Sequence, residues 1–140
     1  MFVCHHCNHH FRVQPQLYVD LLIDKNTEKQ IFNDIESKDF LKFKAGKQYK
    51  DQINAAKNKT GEKDAIKVYE GKMAKKKIIL GIMDFRFIGG SFGAASGEAF
   101  IAGVQNAIDN KTPYIFFSCS GGQRMMESSI ALMQMTRTTL

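Results

Sequence analysis

The chain has 140 residues, 44% of them apolar and 24% charged, with only 2 prolines. That is enough material for one globular domain with a real core, and no apolar run approaches the roughly 20 residues that cross a bilayer. The start does not read as a secretory signal, because Cys4 and Cys7 arrive before any hydrophobic stretch. Three cysteines are too few and too unevenly placed for a disulfide framework, which points to a reduced, cytoplasmic setting.

The net charge of +6 is segregated. Residues 1–37 carry 3 basic and 5 acidic groups, residues 38–77 carry 13 lysines and 5 acids, and residues 78–140 carry 4 of each. The lysine-rich middle reads as a solvated face, or as a surface for nucleic acid, a phosphorylated cofactor or an acidic partner. No aromatic interleaving of the RNA-binding kind supports nucleic acid.

Taken in chain order, residues 1–12 form a Cys/His-rich knuckle. The spacing of Cys4 and Cys7 suits one tetrahedral zinc, which needs four ligands. His9 and His10 lie too close to Cys7 to complete the set without strain, so the knuckle reads as half of a zinc ribbon. Residues 16–24 have the apolar spacing of a short helix, and nothing firm is predicted from there to about residue 46. Lys47–Asn58 reads as an exposed helix ended by the Lys-Thr-Gly of 59–61. Two strands follow, Ala65–Glu70 and Lys77–Phe85, the second so continuously apolar that burial on both faces is predicted. After the cluster of Gly89, Gly90 and Gly93 comes a helix from about Ala94 to Asn110. Pro113 then opens a buried strand, Tyr114–Phe117, and Ser120-Gly121-Gly122 turns into a helix from about Arg124 to the end. Repeated strand, glycine turn and helix define an α/β layered domain. Cys119, following a buried strand, reads as a core thiol.

A glycine turn that opens a helix presents unpaired N–H groups and the positive end of the helix dipole to a phosphate or a developing oxyanion. Gly121 and Gly122 are the sharper candidates, with Arg124 beside them; geometry alone is the competing reason for glycine there. Neither Gly-x4-Gly-Lys-Ser/Thr nor Gly-x-Gly-x-x-Gly occurs. Gly89-Gly90-Ser91-Phe92-Gly93 matches a nucleophile elbow, but every histidine lies at positions 5, 6, 9 and 10, before the serine, and the required order fails.

Six blocks together carry a resemblance across nearly the whole chain. They are Cys4-His-His-Cys7-Asn-His-His-Phe-Arg12, Phe43-Lys-Ala-Gly-Lys-Gln-Tyr49-Lys-Asp51, Thr60-Gly-Glu-Lys-Asp64-Ala65, Asp84-Phe-Arg-Phe-Ile-Gly-Gly-Ser-Phe-Gly93, Ser118-Cys-Ser-Gly-Gly-Gln-Arg-Met-Met-Glu127 and Leu132-Met-Gln-Met135. In this order they resemble the β subunit of the acetyl-CoA carboxylase carboxyltransferase of bacterial and plastid type. The resemblance implies an α/β, partial crotonase-like (ClpP/crotonase) fold of β-β-α units. It divides the chain into a remnant of a zinc ribbon at 1–12 and the N-terminal part of the CoA carboxyltransferase domain at 13–140. It implies carboxyl transfer from carboxybiotin to acetyl-CoA, giving malonyl-CoA. The backbone N–H groups of Gly121 and Gly122 would hold the enolate oxygen. Gly89, Gly90, Gly93 and Arg124 would shape or touch the CoA site, and Cys4 and Cys7 would be two of four ligands of a structural zinc. It further implies a carboxyltransferase α subunit and a biotin carboxyl carrier protein as partners, an α2β2 assembly, no membrane, and a cytoplasmic or plastid-stromal location. Phe92, Cys119, Gln123 and Met126 depart from the expected pattern. The ribbon's other Cys pair and further crotonase units are absent from this sequence, so the expectation is a piece of a longer chain with little activity alone. The competing reading is a nucleic-acid-binding zinc-knuckle module using residues 38–77.

Overall fold

The computed structural model describes residues 2–139. Pro15 pre-sets the first turn of α1 (Pro15–Leu22), a helix of 8 residues. Short strand β1 (Lys29–Ile31) follows, then a two-residue-strand hairpin, β2 (Lys44–Ala45) and β3 (Lys47–Gln48), turning at Gly46 with φ +72°. Helix α2 (Tyr49–Thr60) has Asp51 in its first turn and Lys57 and Lys59 in its last, both favourable to the helix dipole. Gly61, at φ +75°, closes it in the left-handed conformation that glycine adopts without penalty.

The main sheet has the order β1-β4-β5-β6. β4 (Ile66–Met73) and β5 (Lys76–Met83) form an antiparallel hairpin, with Met73 opposite Lys76. Its two turn residues, Ala74 (φ 49°) and Lys75 (φ 68°), both take the left-handed conformation of a type I′ turn without the usual Asn-Gly signal. The Asp24 carboxylate accepts both turn amides, at 3.2 and 2.8 Å, and holds the conformation from outside. This explains why the strand runs past Glu70, where the sequence pattern ends it. Helix α3 (Ala94–Asp109) carries the chain over to β6 (Tyr114–Phe117), which pairs with β5 in parallel, so that Leu80 faces Ile115 and Ile82 faces Phe117.

β5 is buried on both faces, as its apolar run predicts. Ile78, Leu80 and Ile82 pack toward α1 with Val19, Ile23 and Tyr69. Ile79 and Met83 pack toward α3 with Ala99 and Ala107. The sheet is thus sandwiched between α1 and α3, a layered α/β arrangement with β4, β5 and α3 as its β-β-α unit. β6 is half-buried rather than buried, because it is the last strand of the sheet among the described residues.

The largest departure from the predicted elements is at the C-terminal side. Arg124 is extended (φ −77°, ψ 95°), a single 3-10 turn spans Met125–Glu127, and Ser128 breaks the path with φ 51°. Helix α4 therefore begins at Ser129 and runs to Thr139, instead of starting at Arg124. No helix among the described residues is long and apolar enough to cross a membrane.

Candidate functional site

Both glycine turns lie at the C-terminal ends of neighbouring parallel strands, and they are bonded to each other. Gly121 N–H donates to Gly89 O, Phe92 N–H to Gly122 O, and Arg124 N–H to Phe92 O, each at 2.9 Å. Phe92 and Gln123 thereby form a short parallel bridge between the loops. Gly90 is required by this contact: a Cβ there would lie 2.2 Å from the Cys119 carbonyl oxygen, at a backbone φ of +63°. Gly93 is required too, because its Cβ would fall 2.7 Å from the Glu127 carboxylate. Gly89, at φ +64°, supplies the carbonyl for Gly121. These three glycines, expected to shape a CoA site, do their observed work by letting one loop seat against the other.

Beneath the loops lies a buried polar network, centred on Arg124 at 0% exposure. Its Nη1 donates to Ser37 Oγ at 2.6 Å and Asp64 Oδ1 at 2.9 Å, with Tyr49 Oη and Glu127 Oε1 more distant at 3.4 and 3.5 Å. Its Nη2 donates to Ser91 O at 2.6 Å and its Nε to Ser91 Oγ at 3.1 Å. Asp64 also accepts the hydroxyls of Ser37 and Ser96, each at 2.5 Å. Glu127 accepts the Tyr49 hydroxyl at 2.5 Å and the Ala94 amide at 2.6 Å. The last bond caps α3 with a carboxylate, the charge its dipole favours. Burial alone would disfavour the Arg124 charge, but Asp64, then Tyr49 and Glu127, more than compensate and hold its pKa above the usual value. Burial pushes the Tyr49 hydroxyl well above its usual range, so it remains protonated and donates.

Arg124 is thus fully enclosed, and the expectation that it touches substrate is corrected: its donors are spent on protein acceptors. The dipole argument for Gly121 and Gly122 is corrected as well, because no helix starts there. Gly121 N–H is committed to Gly89. Gly122 differs. It is exposed, its φ is +114°, no atom lies within 4 Å of where a Cβ would stand, and its N–H is covered only by the exposed Ser120 hydroxyl at 3.0 Å. Gly122, with Ser118, Ser120 and Gln123, lines a hollow of about 290 Å³ whose apolar wall is Met83, Phe92, Phe100, Phe116 and Met135. Phe92, unexpected from the family pattern, forms part of that wall. Sequence reasoning passed over Ser37, Tyr49, Asp64, Ser96 and Glu127 as site residues. Tyr49, Asp64 and Glu127 stood inside the matching blocks, but nothing in their spacing announced that they converge.

Asp84 directly follows β5 at the entry to the first loop. Burial would raise its carboxyl pKa, but hydrogen bonds from the Arg86 side chain (2.6–3.1 Å) and backbone amide, with the Arg86 charge, hold it below the ordinary value. A carboxyl depressed in the folded state contributes stability that is full above its unfolded pKa of about 4 and is lost as pH falls through the folded value. Asp84→Asn is expected to cost about 1–2 kcal/mol at neutral pH. It should also flatten the loss of stability as pH falls below about 4, measured by urea unfolding; an unchanged acid limb would show that the pair contributes nothing.

At the N-terminal end, Cys4 N–H donates to His9 O and Asn8 N–H to Cys4 O, folding residues 4–9 into a tight knuckle. Hydrogen bonds from the backbone amides of His6 and Cys7, with the Cys7 thiol, lower the Cys4 thiol pKa. A lowered pKa favours the thiolate, the form in which cysteine binds zinc, and a structural zinc site needs four ligands. Among the described residues no group of three or more His, Cys, Asp or Glu side chains is placed to close it. Arg12, 3.6 Å above the Phe85 ring, ties the knuckle to the first glycine loop. Of the lysine-rich segment, Lys38, Lys42, Lys44, Lys50 and Lys57 line an open groove of about 680 Å³, with Glu36 3.1 Å from Lys57. Cys119 is half-buried in the second loop and packs against the core cluster that holds Ile79, Met83 and Ala99.

No family model matches the chain. Solved structures with the same fold include transcarboxylase 12S with methylmalonyl-coenzyme A bound (TM-score 0.72, 18% identity, 90% of this chain and 22% of that one). A Pseudomonas malonate decarboxylase MdcD-MdcE hetero-dimer gives TM-score 0.63 at 17% identity, over 90% of this chain and 44% of the other. The β subunit of P. aeruginosa geranyl-CoA carboxylase gives 0.65 at 15%, over 91% and 21%. The fold is therefore the crotonase-like α/β fold of carboxyltransferases, present in part. All 140 residues align at 44% identity with the acetyl-coenzyme A carboxylase carboxyl transferase subunit beta of Pelagibacter ubique. The chain belongs to that β-subunit family, and it spans 45% of the length of that relative.

Proposed function

We propose that the chain serves as part of an acetyl-CoA carboxylase carboxyltransferase β subunit, moving a carboxyl group from carboxybiotin to the methyl carbon of acetyl-CoA. The observation that carries this reading is Gly122: an exposed residue at φ +114° whose N–H bonds only the exposed Ser120 hydroxyl, lining a mostly apolar hollow beside the buried network. Removing a methyl proton beside a thioester puts negative charge on the thioester oxygen. A fixed backbone donor aimed at that oxygen lowers the barrier by about 3 kcal/mol. Of the pair Gly121 and Gly122, Gly122 takes this role, with the thioester oxygen replacing the Ser120 hydroxyl as acceptor. The proton is accepted on the biotin side, so no side-chain base is needed from this chain. Biotin arrives on a biotin carboxyl carrier protein, and a carboxyltransferase α subunit completes the site in an α2β2 assembly located in the cytoplasm or plastid stroma. The lysine-lined groove offers contacts to CoA phosphates or to a partner. Cys4 and Cys7 would supply half of a structural zinc site, which takes no part in the transfer chemistry.

The test is reconstitution of the full-length chain with an α-type subunit, acetyl-CoA and carboxylated biotin carrier. Malonyl-CoA formation that requires both subunits is expected. A complex that assembles and binds acetyl-CoA yet makes no malonyl-CoA would refute the reading. Strong, salt-sensitive nucleic-acid binding without thioester binding would favour the zinc-knuckle alternative instead.

A further inference from the structure

We infer that Glu127, held by Tyr49, is a positioning residue that sets the direction of the Gly122 N–H. This rests on the oxyanion role proposed for Gly122 and deepens it. The case begins with where the second loop is anchored. Arg124 and Glu127 stand one turn apart and grip the first loop at two places: Arg124 at the Ser91 carbonyl, 2.6 Å, and Glu127 at the Ala94 amide, 2.6 Å. Between those two points the loops share the Phe92 bonds to Gly122 and Arg124. Gly122 is therefore held by its carbonyl from the first loop, while its N–H bonds only the exposed Ser120 hydroxyl two residues back.

Glu127 decides whether that grip is rigid. Its carboxylate is 1% exposed and has one oxygen on the Tyr49 hydroxyl and the other on the α3 terminus. Gly93 leaves space for it that any side chain would fill. Both oxygens face donors, so an amide at this position would turn its NH2 against a donor and give up one of the two bonds. Tyr49, on α2, is itself fully buried and so fixes the carboxylate from a third element. A side chain with only a packing role would need neither the matched donors nor the charge.

The experiment uses the full-length chain, as Glu127→Gln and as the milder, isosteric Tyr49→Phe, assembled with its α-type partner. Two readouts are taken: steady-state kinetics for acetyl-CoA, and amide hydrogen exchange of residues 118–124. Exchange is expected to rise at least tenfold in Glu127→Gln and to a smaller extent in Tyr49→Phe. The turnover number should fall 10- to 100-fold while KM for acetyl-CoA stays within twofold. Unchanged exchange in both variants overturns the inference, and so does faster exchange with unchanged turnover, since the direction of the N–H would then not matter. A shift confined to KM overturns it too, by assigning Glu127 to substrate binding. If the wild-type complex transfers no carboxyl group, the functional reading fails by itself, and the exchange readout still decides whether Glu127 fixes the loop. Should Glu127→Gln not fold, Tyr49→Phe decides both readouts.

Discussion

Replacing Arg124 with methionine is expected to cost 3–5 kcal/mol of stability, the range found when one member of a buried ion pair is removed. A domain of this size has roughly 5–15 kcal/mol in total, so the variant should be at best marginally folded. Methionine replaces the aliphatic stem but not the guanidinium, so a small cavity adds to the loss of the ion pair. Asp64 would keep two hydroxyl donors, from Ser37 and Ser96, but lose its counter-charge while 3% exposed. Ser91 would lose the donor to its carbonyl, and the first glycine loop its main side-chain anchor. Arg124→Lys should recover little, since one ammonium cannot bond Ser91 and Asp64 with the fork geometry of a guanidinium. The double change Arg124→Met with Asp64→Asn should recover part of the loss, because the only carboxylate then left in the network is Glu127, which keeps its Tyr49 and Ala94 donors. Urea unfolding of the four proteins checks this. A loss below 1 kcal/mol in Arg124→Met would mean that water reaches the network and that the loops are held by their backbone ladder alone.

Much of this architecture is legible in the sequence because its signals are local. The apolar run through Ile78–Met83 marks a strand buried on both faces, and both packing layers are found. Lys59-Thr60-Gly61 marks the end of α2 within a residue or two, because a left-handed C-terminal glycine is a local device. The turn at Ala74-Lys75 escapes sequence reading for the opposite reason: Asp24, fifty residues earlier, imposes it. The same holds at the C-terminal side. The apolar spacing after Arg124 suits a continuous helix, but Arg124 is drawn into an extended conformation by its bond to Phe92, and the helix waits until Ser129. The glycines were visible as special positions, yet their partners were not. Gly90 answers to Cys119 and Gly93 to Glu127, contacts that no spacing rule encodes. Arg124 suggested a ligand contact because an arginine beside paired glycines usually reads that way. Only the convergence of Ser37, Tyr49, Asp64 and Glu127 on it shows that its charge is spent internally.

Gly122→Ala carries the largest expected effect on catalysis. In the assembled complex it should lower carboxyl transfer by 10²–10³-fold, the loss that follows removal of one oxyanion donor. The substitution is informative because it meets no steric obstacle: beyond the adjacent residues, no atom lies within 4 Å of the added methyl. What it meets is the backbone. At φ +114° an L-residue is strained, so the peptide rotates and the N–H turns away from the position that a thioester oxygen would take. The stability loss should be small, about 1 kcal/mol, because the residue is exposed and its main inter-loop bond uses the carbonyl, not the amide. Ser120→Ala is the matching control. It removes the hydroxyl that covers the Gly122 N–H and leaves the backbone free, so turnover should stay within about threefold of wild type, a change of only ~0.7 kcal/mol in the barrier. Turnover by both variants, with thermal stability and complex assembly measured alongside, separates the two possibilities. If Ser120→Ala loses as much activity as Gly122→Ala, the hydroxyl and not the amide is the functional donor. If Gly122→Ala retains full turnover, the oxyanion is held elsewhere in the assembled enzyme, and the left-handed backbone at Gly122 is a by-product of the geometry that seats this loop against Gly89–Gly93.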